Sequence, residues 1–200
     1  MSGSLYVWGS NEHAELCVSE DDITKTKLYN HEQSIIYGPM KVKSFSNQAI
    51  DISSSDGLTL ITLNSAKNMN LIQAGVAFDL DPLDQPIVHT EEELKNVFYA
   101  LPFLVSISEQ VTKVSCGVHF GMILSVSGKV YTLGTNIYGQ LGQGRSEYNK
   151  AAMGQEILAV KRPLIVKDLT FDDDFIIDIA AGFTHCLALS SKQKVYIWGQ

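Results

Sequence analysis

Twenty-one residues recur in this 200-residue chain without a gap, and that internal repeat constrains the fold more tightly than any other feature. Val114-Ser-Cys-Gly117 to Val130-Tyr-Thr-Leu-Gly134 aligns on Ile179-Ala-Ala-Gly182 to Val195-Tyr-Ile-Trp-Gly199 at a constant offset of 65. Near the start, Tyr6-Val-Trp-Gly9-Ser-Asn11 to Leu16-Cys17 matches Tyr131-Thr-Leu-Gly134-Thr-Asn136 to Leu141-Gly142 at an offset of 125, close to twice the period. A further copy is worn: Ile52 to Leu63 has the same apolar texture, but Ile72 stands where the gapless period expects glycine. A second series keeps the same register, since Pro39-Met-Lys-Val, Pro102-Phe-Leu-Val and Pro163-Leu-Ile-Val each precede a copy. A period of this size means stacked units rather than one irregular core.

Within a unit, Met122 to Val126 and Lys129 to Leu133 are β-type runs joined by Ser127-Gly128, which reads as a hairpin. Val130-Tyr-Thr-Leu and Val195-Tyr-Ile-Trp are apolar at nearly every position, the pattern of a strand covered on both faces. Stacked sheets provide that environment. Gly9, Gly134 and Gly199 mark the bend out of the sheet, and Pro39, Pro102 and Pro163 suit the first residue of an edge strand. Thr90-Glu-Glu-Glu93 before Leu94-Lys-Asn-Val-Phe-Tyr reads as a capping box opening one short helix. No domain boundary interrupts the series. The expectation is one partial domain over residues 1–200, with the end of a repeat near 1–22 and repeats at about 36–80, 99–142 and 160–200.

These residues resemble the regulator of chromosome condensation repeats, which build seven-bladed β-propellers. The family unit runs through a proline strand, a small-small-Gly-x-x-His strand, a hairpin, Val-Tyr-x-Trp-Gly and Asn-x-x-Gly-Gln-Leu-Gly. Ile179-Ala-Ala-Gly182-Phe-Thr-His185-Cys-Leu-Ala-Leu189 and Gly134-Thr-Asn-Ile-Tyr-Gly139-Gln-Leu-Gly142 match it closely. The third unit departs from it with Phe120 at the His position, and the first has Ala14 and Cys17 in place of glycines. The resemblance covers most of the chain and implies an all-β fold, an open arc of about three four-stranded blades. It further implies the N-terminal part of a longer propeller, or an arc that another chain completes. A bare blade face exceeds the ~300–600 Å² apolar patch of an ordinary monomer.

Chemistry-bearing motifs are few. Gly121 to Gly128-Lys129 has six residues between its glycines and no Ser or Thr after the lysine, so it is no phosphate-binding loop. Gly139-Gln-Leu-Gly142-Gln-Gly144 reverses the dinucleotide fingerprint and reads as a repeat turn. Cys116, His119, His185 and Cys186 fall at different positions of neighbouring units, which argues against zinc. His185 reads as a hydrogen-bonded structural imidazole, and Trp8 and Trp198 as packing between blades. Cys17, Cys116 and Cys186 are an odd number at wide spacing, suited to small buried hydrophobes rather than disulfides. No catalytic, cofactor-binding or metal-ligating residue is assigned.

Fifteen Lys and Arg against 22 Asp and Glu give a net charge of −7, opposite to the basic footprint of nucleic-acid binders. No apolar run approaches the ~20 residues of a membrane span. The start, Met1-Ser-Gly-Ser-Leu-Tyr, has no signal-peptide pattern, so cytoplasm or nucleus is the expected place, with a cytoskeletal or ciliary assembly open. The runs Glu20-Asp-Asp22, Glu91-Glu-Glu93 and Asp172-Asp-Asp174 read as solvated charge or as an acidic rim steering a basic partner. Two functions stay in view: a non-enzymatic protein-interaction module acting as scaffold or regulator, and guanine-nucleotide exchange on a Ran-like small GTPase. The resemblance attributes exchange to propeller loops and a protruding wedge, to which no residue here can be matched.

Overall fold

The computed structural model describes residues 3–12, 14–43, 48–64, 71–78, 97–105, 107–143, 159–171 and 173–200. Four sheets follow one another along the chain. β1 (Tyr6–Ser10), β2 (Tyr29–Asn30) and β3 (Ile35–Lys41) form the first, in the order β1, β3, β2. β4 (Ala49–Ser55), β5 (Leu58–Leu63), β6 (Leu71–Phe78) and β7 (Val97–Val105) form the second, each strand beside the next. β8 (Val111–Gly117), β9 (Phe120–Ser125), β10 (Val130–Thr135) and β11 (Ala159–Ile165) form the third in the same way. β12 (Ile176–Ala181), β13 (His185–Ser190) and β14 (Val195–Gly199) form the fourth. All pairings are antiparallel, and the second, third and fourth sheets are meanders, the architecture of a propeller blade.

Two core clusters show how the blades stack. Leu58 and Leu60 of β5 pack with the third and fourth sheets, while Ile61 and Leu63 of the same strand pack with the first. Alternate side chains thus enter different cores, which is why the middle strands carry no polar face. The outermost faces lack this cover. Val130 is 1% exposed, whereas Val195, its counterpart 65 residues later, is 60% exposed. Trp8 on β1 is likewise exposed, in contrast to the inter-blade packing expected for it.

The sheets group the strands one step out of phase with the repeat as read from the sequence. The proline strands β3, β7 and β11 pair with β1, β6 and β10 of the preceding sheet, β7 and β11 as its outer strand and β3 between β1 and β2. Nor does proline begin the strand. Pro39, Pro102 and Pro163 each sit in a bulge, opposite Trp8, Ala74 and Leu133 respectively, where the missing amide proton breaks no ladder bond. The glycine after each of these residues, Gly9, Gly75 or Gly134, has φ between +91° and +103°. The second copy therefore retains its glycine at Gly75 rather than losing it at Ile72. Residues 64–70 separate β5 from β6 where only 126–129 separate β9 from β10, and those three extra residues shift the register.

The expected helix near Thr90 falls largely outside the described residues, but Val97-Phe-Tyr99 belongs to β7. Sheet pairing overrides the local signal. The helix that is described, α1 (Glu20–Thr24), is capped by Ser19, whose Oγ accepts the Asp22 amide at 3.2 Å while the Asp22 carboxylate turns back to the Ser19 amide. Among the described residues no helix is long and apolar enough to cross a membrane.

Gly134 tests the bulge. A Cβ there would lie 2.3 Å from the His119 carbonyl oxygen, at a φ of +102° that L-residues avoid. Gly134→Ala is expected to lose about 3 kcal/mol or more of stability, read from urea unfolding midpoints.

Candidate functional site

The innermost strands β4, β8 and β12 lie side by side, and their small residues permit this. A Cβ on Gly117 would fall 2.0 Å from the Phe120 ring and 2.4 Å from the Gly182 carbonyl oxygen. On Gly182 it would fall 2.3 Å from the His185 ring. The Gly-x-x-His pattern is thus a ring laid over a bare Cα, and Phe120 serves as well as His185. The hydrogen bond expected of His185 is replaced by this stacking; its side chain makes no hydrogen bond among the described residues.

Polar links join the same strands across each seam. The Ser53 hydroxyl accepts the Cys116 amide at 2.9 Å, and the Ser115 hydroxyl accepts the Ala181 amide at 2.8 Å. Asp51 Oδ2 accepts the Val114 amide at 3.0 Å. Lys113 pairs with Asp178 and holds that carboxyl below its ordinary range. The sequence reading missed these residues. Their signal was the spacing of Ser53 and Ser115, equivalent positions of successive units.

At the end of the blades where β10 leaves its sheet, the Asn-x-x-Gly-Gln-Leu-Gly turn closes on itself. Asn136 Oδ1 accepts the Leu141 amide at 2.9 Å, and Gln140 Oε1 accepts the Tyr138 amide at 2.8 Å. The turn then receives the next blade: the Gln140 carbonyl accepts Trp198 Nε1 at 2.9 Å, and the indole lies over Gly142. Trp198 therefore packs between blades as expected. In the first unit Asn11 Oδ1 holds the Leu16 amide at 3.0 Å, the same turn. Ala14 and Cys17 replace its glycines and are forced to φ of 57° and 56°.

At the opposite end, acidic residues clamp hairpins. Asp174 Oδ1 accepts the Ser191 hydroxyl at 2.7 Å and the Phe175 and Lys192 amides at 2.9 and 3.2 Å. Burial pushes its carboxyl up, but these bonds and one from Ser190 outweigh that and bring it down to about 2. Glu109, 65 residues earlier, takes Lys129 and Ser127, which bring it to about 2 as well. Two acidic runs thus contain structural members, Asp22 and Asp174; Glu91-Glu-Glu93 lies outside the described residues. The three cysteines are free and buried, and burial raises Cys17 and Cys116 to about 12. Cys116 and Cys186 sit in adjacent sheets, and no group of three or more His, Cys, Asp or Glu could hold a metal among the described residues.

The comparisons agree with this geometry. The profile of the regulator of chromosome condensation (RCC1) repeat matches residues 127–189, from the β9–β10 hairpin through β13. Residues 127–189 are a regulator of chromosome condensation repeat. It is 35% identical over 103 residues to the Protein RCC2 homolog of Xenopus laevis, covering 46% of this chain and 20% of that one. It is 24% identical to Protein RCC2 of Mus musculus over 98% of this chain and 36% of the relative. Among solved structures, human WBSCR16 superposes with a TM-score of 0.70 at 23% identity over 100% of this chain and 48% of that one. Yeast RCC1 (Prp20) bound to Kap60 gives 0.68 at 17% over 98% and 40%. The chain thus spans about a fifth to a third of these curated relatives and under half of these solved chains.

Two outcomes follow for these repeats. Ala14→Gly, which relieves the left-handed strain of the first turn, should raise stability by about 0.5–1 kcal/mol net of the added unfolded-state entropy, measured by thermal unfolding. Glu109 and Asp174 titrate lower in the folded chain than their ordinary values near 4, so their stabilisation is full above that range. It is lost as pH falls from about 4 towards about 2. Glu109→Gln should flatten the decline of the urea midpoint across that window.

Proposed function

We propose that this chain forms part of a β-propeller that works as a protein-interaction module, a scaffold or regulator rather than a catalyst. The observation that carries this is where the repeat's conspicuous residues are used. Gly117, Gly182, His185, Asn136, Gln140 and Trp198 are occupied with ring stacking, turn closure and blade docking. Nucleophile, base and metal sets are not assembled from them, whereas the turns between strands present varied side chains on a rigid frame. Similar proteins include an E3 ubiquitin-protein ligase, HERC2 of Homo sapiens, 36% identical over 89 residues, so sequences like this one occur in proteins of differing activity.

A second reading, exchange on a Ran-like small GTPase, draws support from a yeast neighbour, Prp20p, studied for its binding to Gsp1p and histones. The test is release of a fluorescent guanine nucleotide from a Ran-type GTPase in the presence of the natural full-length protein. Under the scaffold reading the intrinsic release rate is unchanged, and a saturable complex with a protein partner forms without substrate turnover. An acceleration of about tenfold or more that scales with protein concentration overturns it in favour of exchange.

A further inference from the structure

One end of the blades presents apolar side chains that no packing requirement explains. It is the end reached by the β8–β9 turn, the β12–β13 turn and the segment after β10. The Val118 amide donates to the Phe183 carbonyl at 3.1 Å, so the first two turns touch. The Thr135 amide donates to the His119 carbonyl at 2.9 Å, and the Gln140 carbonyl accepts from Trp198 and Cys186, so the third element leans across the same seam. On it stand Phe183, 72% exposed, Ile137, 55%, and Tyr138, 49%, with Val118 half-buried.

These differ from the bare blade faces. Val195 and Ile197 lie on the flat of the fourth sheet, where another blade would cover them. Ile137 and Tyr138 lie at the tip of a turn already closed by Asn136 and Gln140, and their exposure serves neither closure nor blade stacking. Val118 occupies Phe183's position one repeat earlier and stays half-exposed with its neighbouring blade in place. A rigid turn holding aromatic and aliphatic groups in water is a preorganised contact surface.

Charge selects the occupant. The described turns at this end, residues 10–12, 14–19, 56–57, 118–119, 135–143 and 182–184, contain no Lys or Arg and carry Glu12, Glu15 and Asp56, and α1 beyond the first of them adds Glu20, Asp21 and Asp22 ahead of Lys25 and Lys27. The opposite end carries Lys43, Lys129, Lys167, Lys192 and Lys194 against Glu109, Asp168, Asp173 and Asp174, with Lys129 paired to Glu109 and Lys192 to Asp173. A basic segment is drawn to the acidic first end and meets a nearly balanced, ion-paired surface at the second.

We propose that Phe183, Ile137, Tyr138 and Val118 form a docking surface for a basic partner segment that presents an apolar or aromatic anchor between Lys or Arg residues. This rests on the interaction-module reading and names its face and partner chemistry. The probes are three fluorescein-labelled synthetic peptides: one with Leu and Phe anchors flanked by Lys and Arg, one with the cations replaced by Glu, and one with the anchors replaced by Ser. Anisotropy is read against the natural full-length protein. Binding of the first peptide alone, weakened about tenfold or more in Phe183→Ser/Tyr138→Ser with an unchanged melting temperature, supports the proposal. Val195→Ser, on the blade face, should leave the affinity unaltered. No binding of the first peptide, equal binding of the Glu peptide, or insensitivity to the double substitution overturns it. A stoichiometric protein complex that survives the double substitution sinks the face while leaving the module reading intact. Absence of any protein complex removes both.

Discussion

Everything in this architecture depends on how closely the innermost strands can approach. Where Gly117 meets Gly182, one carbonyl oxygen occupies the space that a single added methyl would need. That spacing brings the Ser53 and Ser115 hydroxyls within reach of amides on the adjacent blade, and it pairs Lys113 with Asp178. A larger residue at these positions would prise the blades apart at their narrow edge. The wider parts of the wedge are then filled by Leu58, Leu60, Phe120, Met122 and their neighbours, which lose contact with water on both sides of a sheet.

Much of this was legible in the sequence because repetition and periodicity act locally. The offset of 65 located the hairpins, the both-sided burial of β10 and the closing turn after it. The phase of the sheets was not legible, since a proline strand lies between two copies and its partner is decided by sheet pairing. The drift at Gly75 was hidden for a related reason: three extra residues in one hairpin displace the glycine without altering the bulge that needs it. Val97-Phe-Tyr99 likewise follow a helix-start signal yet complete a sheet, because pairing with β6 outweighs a local cap.

The polar residues show a similar division. Asp22 and Asp174 looked like solvent-facing charge in a linear string, and each instead satisfies backbone amides that would otherwise be unpaired. Such roles are invisible without the third dimension, because the partner amides come from elements not yet placed. His185 differs in the opposite direction: its imidazole reads in sequence as a structural hydrogen-bonding group, and the fold uses its shape over Gly182. Residues that carry a recognisable pattern therefore maintain the frame, and the side chains without pattern, such as Ile137 and Phe183, face the solvent.

The offset between sequence repeat and sheet has a consequence for how such a protein is inherited and comes apart. Each of the later repeats supplies the outermost strand of one sheet and three strands of the next, so excising one period removes parts of two sheets and joins the remnants in register. Duplication by whole periods is thereby tolerated, whereas a break at a sheet boundary is not. The same interlocking ties neighbouring repeats covalently and by strand pairing, so melting of one repeat strips the outer strand from the preceding sheet, leaves an unpaired edge there, and unfolding spreads along the arc.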